Sequence, residues 1–173
     1  MANRIFNVLF ICTGNSARSI MAEVILNQLG RGRFKAFSAG THPRGAVHPM
    51  TLEVLTEQRY DVGGLRSKSW AEFTAATVPP LDFIFTVCNQ AAGEACPAWP
   101  GQPITAHWDF ADPAAAVGDH GKRRRAFVSA QHQIATRIRR FSQPALRQAR
   151  PVVAAIPAAR AWVGQRVRRV ISQ

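Results

Sequence analysis

The sequence predicts an α/β fold: a single domain in which short parallel strands alternate with helices. Three observations carry that expectation. Short apolar runs alternate along the chain with segments whose apolar residues recur at helical spacing. The first run, Asn7-Val8-Leu9-Phe10-Ile11, leads through a loop of Gly, Asn and Ser straight into a helical pattern, the placement of an anion-binding turn. Finally, 173 residues with a 47% hydrophobic fraction suffice for one full core but hardly for two.

Residues 5–11 read as a buried strand, being short, apolar and ended by a glycine-containing loop. Over 16–29, Ile20, Met21, Val24, Ile25 and Leu29 keep helical spacing, and Gly30 and Gly32 stop the helix. A second strand over 34–39, ended by Gly40, completes a βαβ unit. Residues 47–60 carry a weaker helical pattern. Residues 61–69 are a turn-rich connection in which Lys68 faces either the anion loop or solvent. A short helix is expected over 70–76, before Pro79 and Pro80, and an unambiguous third strand over 81–87 delivers Cys88 at its carboxyl end. Cys12 and Cys88 should therefore follow parallel strands at one edge of the sheet. Residues 89–99, containing Cys96 and bounded by Pro97 and Pro100, are expected to form a loose, mobile helix. A fourth strand over 102–108 ends in the loop Asp109-Phe110-Ala111-Asp112-Pro113. A long helix over 121–141 should bury Phe127, Val128, Ile134 and Ile138 under a basic outer face. The domain is expected to span 1–143. Residues 144–173, broken by Pro144, Pro151 and Pro157, form a basic tail, either an amphipathic helix from about 158 onward or poorly ordered.

The net charge of +12 is unevenly spread, since residues 1–119 hold all 10 acids and 9 Lys/Arg whereas 120–173 hold 13 Lys/Arg and no acid. A basic third of this kind suits a solvated helix face or an acidic partner. No apolar run reaches the roughly 18 to 20 residues of a membrane span, and the opening residues lack a signal peptide, so a cytoplasmic protein is expected. Three cysteines without export signals favour catalytic or redox use over a disulfide framework.

The chemistry centres on Cys12-Thr13-Gly14-Asn15-Ser16-Ala17-Arg18-Ser19. A short loop of such residues turns backbone N–H groups inward, and the following helix adds the positive end of its dipole, making a cradle for a phosphate-sized oxyanion. Cysteines in such electropositive settings have pKa values lowered to roughly 3.5–7.5, so Cys12 is expected to be nucleophilic at neutral pH. Arg18, with five residues between it and Cys12, can hold two anion oxygens with its planar fork. Asp112 is placed to protonate a leaving oxygen. The bland alternative is a buried structural cysteine in a tight turn. Those parts describe a phosphatase; Cys88 and Cys96 go beyond one.

Taken together, the chain resembles the arsenate reductases built on the low-molecular-weight tyrosine phosphatase fold. The resemblance is carried by CTGNSARS at 12–19, FSAG at 37–40, LRSKSW at 65–70, FTVCNQAAGEACP at 85–97 and HWDFADP at 107–113, within roughly residues 4–141. It implies a four-stranded parallel twisted sheet flanked by helices and no cofactor or metal. It also implies a relay. Cys12 attacks arsenate, with the adduct held by Thr13 to Arg18 and Asp112 acting as acid. Cys88 then attacks Cys12 and releases arsenite, and Cys96 draws the disulfide outward. Thioredoxin, or glutathione with glutaredoxin, resets the enzyme. The chain departs from some relatives in having Ala17 rather than cysteine, seven residues between Cys88 and Cys96 rather than six, and Asp109 as a second carboxylate before Asp112.

Two rivals remain. A tyrosine phosphatase of the same fold usually has aromatic residues after the Asp-Pro pair, where this chain has Ala114, Ala115 and Ala116. A nucleic-acid-binding module would use the basic third, which lacks stacking aromatics and a recognition motif. Cys88 and Cys96 do not have the spacing of a zinc pair, and His42, His48, His107, His120 and His132 read as ordinary loop or surface residues.

Overall fold

The first apolar run becomes β1 (Phe6–Cys12), and its position in the sheet decides where the chemistry can happen. In a computed structural model of the chain, which describes residues 4–75, 78–94 and 99–143, four parallel strands form one sheet in the order β2-β1-β3-β4. β2 is Phe34–Gly40, β3 is Phe83–Thr86 and β4 is Ile104–His107. The expected four-stranded parallel sheet flanked by helices is what the chain adopts.

β1 is central, so Val8 to Cys12 are buried on both faces, which is why this strand is continuously apolar rather than alternating. The chain runs from β1 through α1 (Arg18–Leu29) to β2 on one side, then returns to place β3 on the other. Where connections leave a parallel sheet in opposite directions, a crevice opens beyond the carboxyl ends of the strands. Cys12 closes β1 at that point. Ile11 pairs with Thr86, so continuing the register puts Cys88 level with Thr13.

α1 is buried almost all round. Ile20, Met21, Ala22, Ile25 and Leu26 are inaccessible between the sheet and α4 (His120–Phe141), so the helix needs no polar stripe. α4 starts on Asp119, whose carboxylate accepts from Lys122 N at 2.7 Å, and turns Phe127, Ile134 and Ile138 inward as expected, whereas Val128, expected with them, is only partly buried at the edge of the core. Its last residue, Phe141, closes an aromatic cluster with Phe83, Phe85 and Trp108, in which Phe85 stacks on Trp108 at 4.1 Å.

Several elements are shorter than the sequence suggests. α2 (Pro49–Glu57) begins where His48 caps it and Pro49 fits the first turn, and it ends before Arg59, whose φ of 62° is left-handed. The helix expected over 70–76 is a 3-10 turn at Trp70–Phe73, with residues 76 and 77 outside the described residues. α3 (Asn89–Gly93) occupies only the start of 89–99; Cys96 and the expected mobile stretch around it lie outside the described residues. The basic tail, 144–173, also lies outside them. Among the described residues no helix is long and apolar enough to cross a membrane.

Candidate active site

The loop after β1 is shaped by what holds its carbonyl groups. Cys12 O, Thr13 O, Gly14 O and Ser16 O accept from the backbone N–H groups of Thr41, His42, Arg44 and His48 at 2.9–3.1 Å. Ser67 Oγ and Thr51 Oγ1 donate additionally to Gly14 O and Ser16 O. Because a trans peptide sets N–H opposite the preceding C=O, carbonyls pinned outward leave the amides of Thr13, Gly14, Asn15 and Ala17 pointing inward. Ala17 caps α1 without any side-chain bond, so the first-turn N–H groups of that helix are also left for a ligand. Gly40, opposite Cys12 in the sheet, must be glycine: a Cβ there would lie 2.7 Å from Thr13 O.

Cys12 itself is 3% exposed, and its sulfur meets Ser19 Oγ at 2.9 Å and Asn15 N at 3.2 Å. The direction of the serine bond follows from its neighbours. Asn15 Nδ2 donates both its protons, one to Ser19 Oγ and one to Ser38 Oγ, each at 2.9 Å. Ser19 thus accepts from the amide and turns its own proton toward the sulfur. Asn15 is wholly buried, has a left-handed φ of 43°, a region asparagine tolerates, and is anchored again where its Oδ1 accepts from Lys68 N at 2.8 Å.

Above this loop lies a cavity of about 510 Å³. Of the expected site residues, Cys12, Thr13, Gly14, Ser16, Ala17, Arg18, Cys88 and Asp112 line it, whereas Asn15 and Ser19 stand behind, holding the sulfur. Arg18 Nη1 donates to Phe110 O at 3.1 Å and Nη2 pairs with Asp112 Oδ2 at 3.3 Å, so an incoming anion competes with Asp112 for the guanidinium. Asp112 also caps the short turn Pro113–Ala115, accepting from Ala114 N. Asp109, on the same cavity wall, accepts from Asn89 Nδ2 at 3.1 Å. Cys88, 2% exposed, caps α3 by accepting from Ala91 N, and its sulfur lies 3.5 Å from Thr13 Oγ1.

Some contributors escape a sequence reading. Arg44 overhangs the loop, its Nε within 3.2 Å of where a Cβ on Gly14 would sit, and His42 shares the cavity wall. His107 is no ordinary surface residue: Nδ1 meets Thr86 Oγ1 and Nε2 meets Asn89 Oδ1, both at 2.9 Å, tying the start of α3 to β4. His48 is no ordinary residue either, since its Nδ1 accepts from Met50 N and its ring lies 4.6 Å from that of Phe127. Burial, then the positive charges of Arg123 and Arg44, hold its pKa below the ordinary value, against a smaller opposite pull from Asp112. Lys68 takes neither expected position; it turns into the protein, where Nζ pairs with Glu23 Oε2 at 3.3 Å.

Comparison with known proteins gives this geometry a lineage. The family model described as low molecular weight phosphotyrosine protein phosphatase matches residues 7–150. An arsenate reductase of Bacillus subtilis strain 168 is 31% identical over 143 residues, covering 83% of this chain and 98% of that relative. One from Shouchella clausii is 31% identical over 136 residues, covering 79% and 94%. Among solved structures, "an arsenate reductase in the phosphate binding state" superposes with a TM-score of 0.65 at 27% identity, covering 80% of this chain and 97% of that one. The chain belongs to the low-molecular-weight phosphotyrosine protein phosphatase family, and the relatives just named are arsenate reductases.

Proposed function

We propose that the protein is an arsenate reductase that works by a three-thiol relay. The observation that carries this reading is the second buried thiol: Cys88 lies at the wall of the Cys12 cavity, 3.5 Å from the hydroxyl of the residue that follows the nucleophile. Hydrolysis of a phosphomonoester has no use for it.

In this reading arsenate enters the cradle of inward amides and displaces Asp112 from the Arg18 fork, freeing the carboxyl group to act as acid. The Cys12 thiolate forms an S–As bond, and one arsenate oxygen leaves as water with a proton from Asp112. The Cys88 thiolate then attacks the Cys12 sulfur. The S–As bond breaks with its electron pair staying on arsenic, which passes from As(V) to As(III) and departs as arsenite, and the two thiols are left as a disulfide. Cys96 attacks Cys88 in turn, freeing Cys12 and moving the disulfide outward. A dithiol such as thioredoxin, or glutathione with glutaredoxin, supplies the two electrons that reset the chain. The cytoplasm, kept reducing by those systems, is the compartment this chemistry requires.

The test is Cys88→Ser in the full chain. Arsenate-dependent oxidation of the reductant should fall by at least about 100-fold, as expected when a nucleophile is removed from a unit of coupled groups, while slow hydrolysis of a small aryl phosphate persists. Mass spectrometry of thiols trapped after one turnover of the unaltered protein should find Cys88 joined to Cys96. Unchanged arsenate turnover in Cys88→Ser would overturn the relay through Cys88, and aryl phosphate hydrolysis without any arsenate turnover in the unaltered protein would make it a phosphatase with an incidental second cysteine.

A further inference from the structure

Behind the loop, on the side away from the cavity, sits a charge that the mechanism above leaves unused. Lys68 has a side chain only 8% exposed, unusual for lysine unless it is paired. Its ammonium meets three acceptors: Glu23 Oε2 at 3.3 Å, Ser38 Oγ at 3.3 Å and Arg66 O at 3.2 Å. Ser38 Oγ accepts from both Asn15 Nδ2 and Lys68 Nζ, so its lone pairs are filled and its own proton must go to Glu23 Oε2, with which it is in contact. The resulting chain runs outward from Asn15 in two arms, one ending on Glu23 and the other on the Cys12 sulfur. Asn15 donates to Ser38 and to Ser19, Ser38 donates to Glu23, and Ser19 donates to the Cys12 sulfur.

The direction of the Ser38 arm depends on the pair at its end, Lys68 donating to Ser38 and Glu23 accepting from it. Glu23 is a carboxylate, 16% exposed, on the same buried network as the nucleophile. Unopposed, its charge would act against an anionic sulfur through a poorly solvated interior, where screening is weak. The nearby cation Arg66 is engaged outward by Glu72.

We propose that Lys68 is a positioning residue for the nucleophile: an internal counter-ion that neutralises Glu23 and thereby keeps the Asn15–Ser38–Ser19 chain oriented to favour the reactive form of Cys12. This rests on Cys12 being the nucleophile, and not on arsenate being the substrate. The charged groups facing Cys12 from the cavity side, Arg18, Arg44, His42, Asp109 and Asp112, are untouched by changes at Lys68 or Glu23.

The experiment follows alkylation of Cys12 by iodoacetamide as a function of pH, read by mass spectrometry on the Cys12 peptide so that the other thiols do not interfere. Full-length Lys68→Met, Glu23→Gln and the double variant are compared, each checked for folding by thermal melting. Lys68→Met should shift the profile to higher pH and slow alkylation about tenfold at pH 6, the change expected for one pH unit of displacement. Glu23→Gln should shift it to lower pH. The double variant, again neutral as a pair, should return to within about twofold of the parent. A purely structural role would move both single variants the same way and leave the double variant worse than either. That result overturns the proposal, as does an unchanged profile in a folded Lys68→Met. If Lys68→Met does not fold, Glu23→Gln and the double variant decide alone, and absence of a downward shift in Glu23→Gln overturns it. Since no arsenate is present, failure here and failure of the reductase reading are distinguishable.

Discussion

The floor beneath Cys12 and the rim above it are built on opposite principles. On the floor, Asn15, Ser19 and Ser38 are wholly buried and Asn15 holds three hydrogen bonds through its side chain alone. At the rim, Asp112 is 37% exposed at its side chain and holds a 3.3 Å ion pair and one capping bond. Cys88 is buried but held mainly by a 3.4 Å cap at the start of a five-residue helix. A saturated buried network admits one arrangement, because any displaced member leaves an unsatisfied polar group. Partners held by one or two such contacts at an open rim can leave and return. In the relay proposed above, the nucleophile therefore sits on the rigid part and the groups that move during a cycle sit on the loose one.

The largest expected effect tests the floor. Asn15→Ala would leave Lys68 N–H without its partner, release both serines and force a residue other than asparagine into a left-handed φ. It should destabilise the protein by about 2–4 kcal/mol in chemical denaturation, with activity falling in step. A loss below about 0.5 kcal/mol would show that the floor tolerates rearrangement after all. The rim should respond in the opposite sense. Asp112→Asn keeps a capping side chain, so stability should change by less than about 0.5 kcal/mol, while turnover drops about 100-fold or more through loss of the acid. A large change in melting temperature would erase the distinction between the two regions.

The smallest effect lies between them, at His48. In the folded protein its pKa is held below the ordinary histidine value of 6.5, so the unfolded chain binds the proton more readily. Above pH 6.5 both states are neutral and nothing is lost. As pH falls through 6.5 the unfolded state protonates first and stability declines, levelling off below the folded-state value. His48→Asn, which retains the cap on α2, should flatten that part of the stability profile in urea titrations.

What the sequence made legible was what is local. Strand, loop and helix around Cys12 follow from residues adjacent in the chain, and the sheet edge shared with Cys88 follows from the parallel βαβ rule. The floor was not legible because its partners are scattered: Lys68 finds Glu23 and Ser38 across separations of 45 and 30 residues. Nothing about a lysine in a turn-rich stretch signals burial; only the pairing of distant elements does. His107 was missed for the same reason, since its partners Thr86 and Asn89 belong to the neighbouring strand and the helix after it. Element ends such as that of α2 were set by a histidine cap and a left-handed arginine, which a hydrophobic period does not report.

The uncapped start of α1 carries one more consequence. Most helices begin on a serine, threonine or aspartate that belongs to the chain; here Ala17 supplies nothing, and α1 is the helix packed most completely into the core. A bound oxyanion is then the missing end-piece of the fold as well as its cargo. Any tetrahedral anion should raise the melting temperature in a saturable, concentration-dependent way, and the protein should be at its least robust in the instant after product leaves. In the reading proposed above, inorganic phosphate would act less as a competitor than as a placeholder that keeps the empty site intact between turnovers.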